Sequence, residues 1–497
     1  MSALTPPTPP DPLNPSATSR RWLQRLVLLE PGETRAFLWS AAYFFFVLFS
    51  YYLLRPIRDT IGIRGDIDKL PWLWTGTTIA TLAVTPVFAW VVSRLPRRVF
   101  MPWLYRFFGL NLIVFWLLLT VLPTGPKNLA AGYAFFIWLS VFNLLSTSVF
   151  WGFMADTFTQ PQSKRLFGSI GVGGTLGAIL GGLVPATLAE TMGPVNVILV
   201  SVVALEVVAQ CTIRLWRERE RGERSQNVCP SCGYDLSATP IDANSKRRCP
   251  ECGLESPVIT GALKSNTPEP NRNIWAGFVL IAKSPYLQMM VVYMLLFTIT
   301  STFLYIEQLT VVKREIAEEA ERTKLLAWID VVVNVLTLLT QVFLTGRLLT
   351  RLGVMAGLML LPVLTLVGFA LMWRWELLAL LVGFQILRRS MHYAVDRPTR
   401  EVLYTVLSPD AKYKSKAFID TFVYRSGDLL GAWGKALGDS HAVAIGLLGA
   451  AAAGVWCGSA AMLGVMQRRL AGRSAEPRAD DTADRRAVQS APTPAGR

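Results

Sequence analysis

The sequence predicts an all-α integral membrane protein of about twelve transmembrane helices in two six-helix bundles, with a small cytoplasmic zinc-ribbon insert between them. Three observations carry this expectation. The 497-residue chain is 52% hydrophobic and only 17% charged, too apolar for a soluble protein of that length. Apolar runs of about 20 residues, the length that crosses a hydrocarbon core of about 30 Å, recur along it. Between the sixth and seventh runs lies a polar stretch holding four cysteines at metal-ligand spacing.

Residues 1–35 form a Pro-, Ser- and Thr-rich tail without a short apolar region ending in a small-residue cleavage site, so the first span is expected to be the insertion signal. Within that tail Arg20, Arg21, Trp22, Leu23, Arg25, Leu26, Leu28 and Leu29 suit either a basic amphipathic segment on the bilayer surface or a solvated linker. The N-terminal bundle, 36–214, holds spans at 36–54, 71–93, 100–122, 129–151, 167–189 and 194–214. A linker at 215–275 follows. The C-terminal bundle, 276–466, holds spans at 285–306, 325–346, 353–373, 376–395, 417–438 and 441–466, and residues 467–497 read as a disordered tail. The spans are far longer than barrel strands and lack alternating polarity, which leaves helix.

Basic residues concentrate in alternate loops: Arg94, Arg97 and Arg98; Lys164 and Arg165; Arg347 and Arg351; Arg397, Arg400, Lys412, Lys414 and Lys416. Loops rich in Lys and Arg stay cytoplasmic, so both termini and the insert are expected in the cytoplasm of a cell in whose inner membrane the chain resides. Two opposite loops break the pattern, the first with Arg55, Arg58, Arg64 and Lys69, the fourth with Lys313, Arg314, Arg322 and Lys324. In the fourth, Glu315, Glu318, Glu319 and Glu321 offset the charge. The net charge of +15 is then topological and calls for no nucleic-acid partner.

The sharpest motif is Cys229-Pro-Ser-Cys232-Gly with Cys249-Pro-Glu-Cys252-Gly. Four thiolates at this spacing suit one tetrahedral Zn²⁺, and a closed four-sulfur shell is structural because no position stays open for chemistry. Disulfides or free thiols are the alternative, which a reducing cytoplasm disfavours.

Polar groups inside apolar spans are expensive in lipid and face a cavity or one another. In the eighth span Asp330, Asn334, Thr337 and Gln341 recur on one helical face. The eleventh carries Asp420, Tyr424, Asp428 and Lys435 on one side with Arg425 beside them; the tenth holds Arg388, Arg389 and His392; the first ends in Arg55, Arg58 and Asp59. These groups either bind a solute or form ion pairs that hold the bundle. The excess of Arg and Lys favours an anionic solute. The row Gly173, Gly177 and Gly181 reads as helix packing.

Six spans, an insert of about 70 residues and six more spans resemble the layout of the major facilitator superfamily, in which two halves enclose a central site. More narrowly, Tyr51-Tyr52-Leu53-Leu54-Arg55-Pro56-Ile57-Arg58-Asp59-Thr60 is similar to the end of the first helix of the bacterial and plastid ATP/ADP translocases. Phe150-Trp151-Gly152-Phe153 followed by Lys164-Arg165-Leu166-Phe167 and a Gly-rich helix is a second likeness. The third runs from Arg397-Pro398-Thr399-Arg400-Glu401-Val402-Leu403-Tyr404 through Lys416-Ala417-Phe418-Ile419-Asp420 to Arg425 and Gly427. The resemblance covers roughly residues 36–466 without the insert. It implies a nucleotide or phosphorylated-anion antiporter with ATP or ADP as solute and Arg58, Lys164, Arg400 and Lys416 as anion contacts. That family usually has Lys where Arg58 and Arg400 stand, a basic residue or Gly-Ser at Asp428, and no zinc ribbon.

Two other functions compete with the antiporter: a proton-coupled facilitator using Asp330, Asp420 or Asp428, and a transport-inactive zinc-ribbon scaffold. An enzyme is not expected, since two histidines and no nucleophile–base pairing supply no catalytic constellation.

Overall fold

A computed structural model describes Glu30 and residues 33–475, except 159, 227–228, 230, 233, 235, 237–238, 240–245, 258–273, 376, 409–410, 412–414, 417 and 441–443. The predicted amphipathic segment at 20–29 and most of the C-terminal tail lie outside the described residues. The N-terminal half supplies α1 (Thr34–Gly62), α2 (Leu70–Arg94), α3 (Arg97–Val121), α4 (Pro126–Thr157), α5 (Gln160–Met192) and α6 (Pro194–Gln226). A short hairpin of β1 (Lys246–Arg248) and β2 (Glu255–Pro257) sits in the insert, paired antiparallel with Arg247 opposite Ser256. The C-terminal half supplies α7 (Ile274–Lys283), α8 (Pro285–Glu315), α9 (Glu319–Thr340), α10 (Gly346–Arg374), α11 (Leu378–Met391), α12 (Arg397–Leu403), α13 (Tyr424–Ser440) and α14 (Ile445–Ala475).

Nine helices among the described residues are long and apolar enough to cross a membrane. The other three expected spans fall on α2, α11 and α13, of which α11 and α13 are α-helical for only 14 and 17 residues. Both continue as π-helical turns, His392–Asp396 and Ile419–Val423, and a third such turn, Gln341–Thr345, follows α9. A π turn places an extra residue in the ladder, and such turns concentrate at functional sites. Inside α10 the backbone breaks at Gly353, whose φ of 79° suits a residue without Cβ.

The chain divides into two compact units. The first comprises 1–55, 84–123 and 139–265; the second comprises 56–83, 124–138 and 266–497. In the first, the glycine row of α5 is a packing surface: a Cβ on Gly177 or Gly181 would collide with the carbonyl of Phe45 or Phe49 on α1. In the second, a Cβ on Gly427 or Gly431 of α13 would collide with the Thr298 or Thr302 side chain of α8. Glycines thus set the close approach of the fifth span to the first and of the eleventh to the seventh.

Candidate functional site

The second unit holds a buried polar cluster at the π turn after α11. Asp396, 1% exposed, accepts a hydrogen bond from Tyr293 Oη at 2.6 Å and contacts His392 Nδ1 at 3.0 Å. Arg400 Nε forms an ion pair with the same carboxylate at 3.0 Å. His392, Asp396 and Arg400 recur every fourth residue, which sets them on one face. The Phe297 ring on α8 is the floor: His392 stacks on it at 4.3 Å, and the guanidinium carbons of Arg400 and Arg388 lie 5.2 and 5.7 Å from its centre. Such cation–π contacts strengthen as water is removed.

Arg388 is 3% exposed and donates to Thr300 Oγ1, Ser301 Oγ and Thr365 Oγ1, each at 3.0 Å, and to the Phe297 carbonyl at 3.4 Å. All four acceptors are neutral. This leaves two guanidiniums around one carboxylate, a local excess of positive charge in a site where an anion would be held strongly. Its neighbour Arg389 instead pairs with Asp330 at 2.6 Å. The eighth-span stripe is buried at Asp330, Asn334 and Thr337, yet Asn334 and Thr337 hydrogen-bond their own helix and Gln341 is exposed.

The remaining expected positions fall into separate pairs. Arg58 grips Asp59 through two nitrogens at 2.8 and 2.6 Å, donates to Tyr305 Oη at 2.6 Å and lies 4.7 Å over Phe136. Arg55 is buried in α1. Arg165 is bound to Glu33 at 2.9 Å and Glu30 at 3.1 Å, which ties α5 to the entry of α1. Lys164 is in α5, its side chain outside the described ones. Lys416 meets Glu401 at 2.6 Å, and Asp420 is exposed. Asp428 accepts from Thr302 at 3.2 Å and Arg425 at 3.3 Å, while Lys435 pairs with Asp439 at 2.7 Å and Glu307 at 3.3 Å.

The two loops that break the charge pattern meet in the second unit. Arg64 forms a fork with Glu319, both contacts 2.7 Å, and donates to Asn128 at 3.2 Å. Lys313 donates to the Gly65 carbonyl, and Thr323 to Thr60 at 2.9 Å. Arg64 of the first loop is thereby paired with an acid of the fourth.

In the insert, the four cysteine sulfurs lie within 4.8 Å of one another. The Cys229–Cys252 and Cys232–Cys249 separations are 3.4 and 3.5 Å. A tetrahedral shell with Zn–S bonds of about 2.3 Å has edges of about 3.8 Å, so the thiols fit that ion. Each knuckle closes by a backbone bond, Cys229 N to Tyr234 O at 2.8 Å and Cys249 N to Leu254 O at 2.9 Å. Backbone amides of Cys232 and Ser231 hold the Cys229 thiol down to about 6, which favours the ligating thiolate.

Asp396, Tyr293, Phe297, Thr300 and Thr365 were absent from the expected set. Asp396 carried a signal, its four-residue spacing to both His392 and Arg400; the others come from different helices and have none in one sequence.

No family model matches the chain. It is 21% identical over 463 residues to ADP,ATP carrier protein 1 of Chlamydia muridarum (strain MoPn / Nigg), covering 80% of this chain and 82% of that one. To ADP,ATP carrier protein 2 of Chlamydia pneumoniae it is 24% identical over 444 residues, covering 77% and 78%. Among solved structures it is similar to the nucleoside transporter NupG, with a TM-score of 0.53, 11% identity and coverage of 89% and 99%. An auto-inhibited POT family peptide transporter gives a TM-score of 0.55 at 13% identity, covering 88% and 97%. These likenesses show the major facilitator fold in a multi-pass membrane protein, and the curated relatives support a transporter that resembles the ADP,ATP carriers.

Proposed function

We propose that the chain is a secondary transporter that exchanges nucleotides or related phosphorylated anions by alternating access, in the inner membrane with both termini cytoplasmic. The observation that carries this reading is Arg388, a buried guanidinium whose partners are all neutral, beside the Arg400–Asp396 pair. A buried cation with no counter-charge in contact binds an arriving phosphate without first surrendering a carboxylate. The names of the curated relatives point to the same solute class. Arg58, with Asp59 and Tyr305, is a further anion contact on α1, and Lys164, Arg165 and Lys416 supply the approach. Rocking of the halves would separate Arg64 from Glu319, a partly exposed pair that screened solvent replaces at little cost. The four-cysteine insert binds one structural Zn²⁺ and braces the linker.

The test is uptake and counterflow in proteoliposomes against nucleotides, inorganic phosphate and dicarboxylates. Trans-stimulation by a nucleotide is expected, with its apparent affinity lowered about ten- to a hundredfold by Arg388→Gln. Uptake driven by a proton gradient without a counter-solute would overturn antiport.

A further inference from the structure

Helices α3 and α6 pack together in the first unit and carry three polar pairs between them. Arg98 meets Glu220 at 2.9 Å; Arg106 forms a fork with Glu206 at 2.9 and 3.0 Å; Trp116 Nε1 donates to Asn196 Oδ1 at 3.0 Å. In every pair the donor is on α3 and the acceptor on α6. The middle pair is out of place. Arg106 is three residues from Gly109, the midpoint of α3, and Glu206 is about three residues from the middle of 194–213, a run of α6 that holds no other charged residue. At 1.5 Å per residue both lie within about 5 Å of the helix centres. Their side chains are nonetheless 39% and 48% exposed. Around them Trp103 is 65%, Phe107 57%, Leu110 60% and Val203 68% exposed. Charged groups at such depth face protein or water, and a headgroup cannot reach them.

We infer that this α3–α6 face packs against the same face of a second copy of the chain, about a two-fold axis along the membrane normal. Such an axis keeps depth and exchanges the helices, so α3 of one copy opposes α6 of the other. Arg106 then faces the second copy's acceptor and Glu206 its donor, and the outer and inner pairs follow the same rule at their own depths. At each of the three depths a donor of one copy then meets an acceptor of the other, so the face is complementary to itself. The exposed aromatic and aliphatic side chains pack between the three polar layers, and each fork becomes part of a four-membered network shielded from lipid.

Full-length protein carrying one fluorophore on an N-terminal tag, reconstituted in liposomes at limiting density, gives the test. Wild type should bleach in two steps. Arg106→Leu with Glu206→Leu, which leaves an apolar face that lipid tolerates, should insert in equal amount and bleach in one step, its dimerisation weakened about tenfold or more. Arg106→Glu and Glu206→Arg should each be monomeric alone, since two-fold pairing sets like charges together, and should co-localise when mixed in two colours. One-step bleaching of wild type at every density would overturn the inference and assign the face to another protein. Two-step bleaching of the double Leu variant, or no co-localisation in the mixture, would overturn it equally.

Discussion

Arg388 and Arg400 share the Phe297 ring, but their removal should have opposite signatures. Arg400→Gln leaves Asp396, 1% exposed, without its cation and with only Tyr293 and His392 for partners. Breaking a buried pair from one side is destabilising by about 3–5 kcal/mol. Arg388→Gln leaves only hydroxyls and a carbonyl, and two of those hydroxyls already donate along their own helices, Thr300 to Leu296 at 2.8 Å and Thr365 to Leu361 at 2.7 Å. No charge is orphaned. The loss is that of ordinary hydrogen bonds, about 0.5–1.5 kcal/mol. On the transport side Arg388→Gln removes a charge-assisted contact worth about 1.5–3 kcal/mol, roughly ten- to a hundredfold in apparent affinity. Thermal unfolding in detergent and nucleotide affinity in liposomes should therefore separate the two variants: Arg400→Gln unstable, Arg388→Gln stable but weak in binding. An Arg388→Gln protein with unchanged affinity and a stability loss as large as that of Arg400→Gln would refute the reasoning and make Arg388 a bundle strut.

Purified protein should contain about one zinc per chain by elemental analysis, and Cys229→Ser with Cys252→Ser should remove it while counterflow persists. Zinc loss accompanied by full loss of transport in inserted protein would make the ribbon a coupling element. Gly177→Leu should lower thermal stability by about 1–3 kcal/mol or more through collision with the Phe45 carbonyl, and Gly431→Leu likewise against Thr302; a neutral effect at both would remove the packing account of the two glycine rows. A cysteine at Ser265 should react with impermeant thiol reagents only after the membrane is opened. Labelling in intact cells would reverse the assigned orientation.

The apolar runs made the long helices legible, since crossing a bilayer demands length and apolarity that composition records directly. Their ends were less so: α1 continues through Pro56 to Gly62 and α6 runs on to Gln226, because helix persists beyond the apolar core wherever polar residues keep helical propensity. Helix α7 and the three π turns left no periodic trace. The cysteine knuckles were legible because ligand spacing is local. The buried polar cluster was half legible: Arg388, Arg400 and His392 stood out as polar groups in an apolar run, whereas Tyr293, Phe297 and Thr365 contribute through packing of α8 and α10. The basic residues of the first loop broke the charge pattern of the sequence, and Arg64 among them is held by Glu319 across about 250 residues of sequence. Pairing over such a separation is invisible to any local rule.

The central claim is exchange of a phosphorylated anion at Arg388. Its most direct test is counterflow in proteoliposomes loaded with unlabelled nucleotide, wild type beside Arg388→Gln. Accumulation of labelled nucleotide by wild type, reached by equally inserted Arg388→Gln only at about ten- to a hundredfold higher nucleotide, is the predicted result; equal counterflow by both at every concentration, or none by wild type with any nucleotide or phosphate, would contradict it.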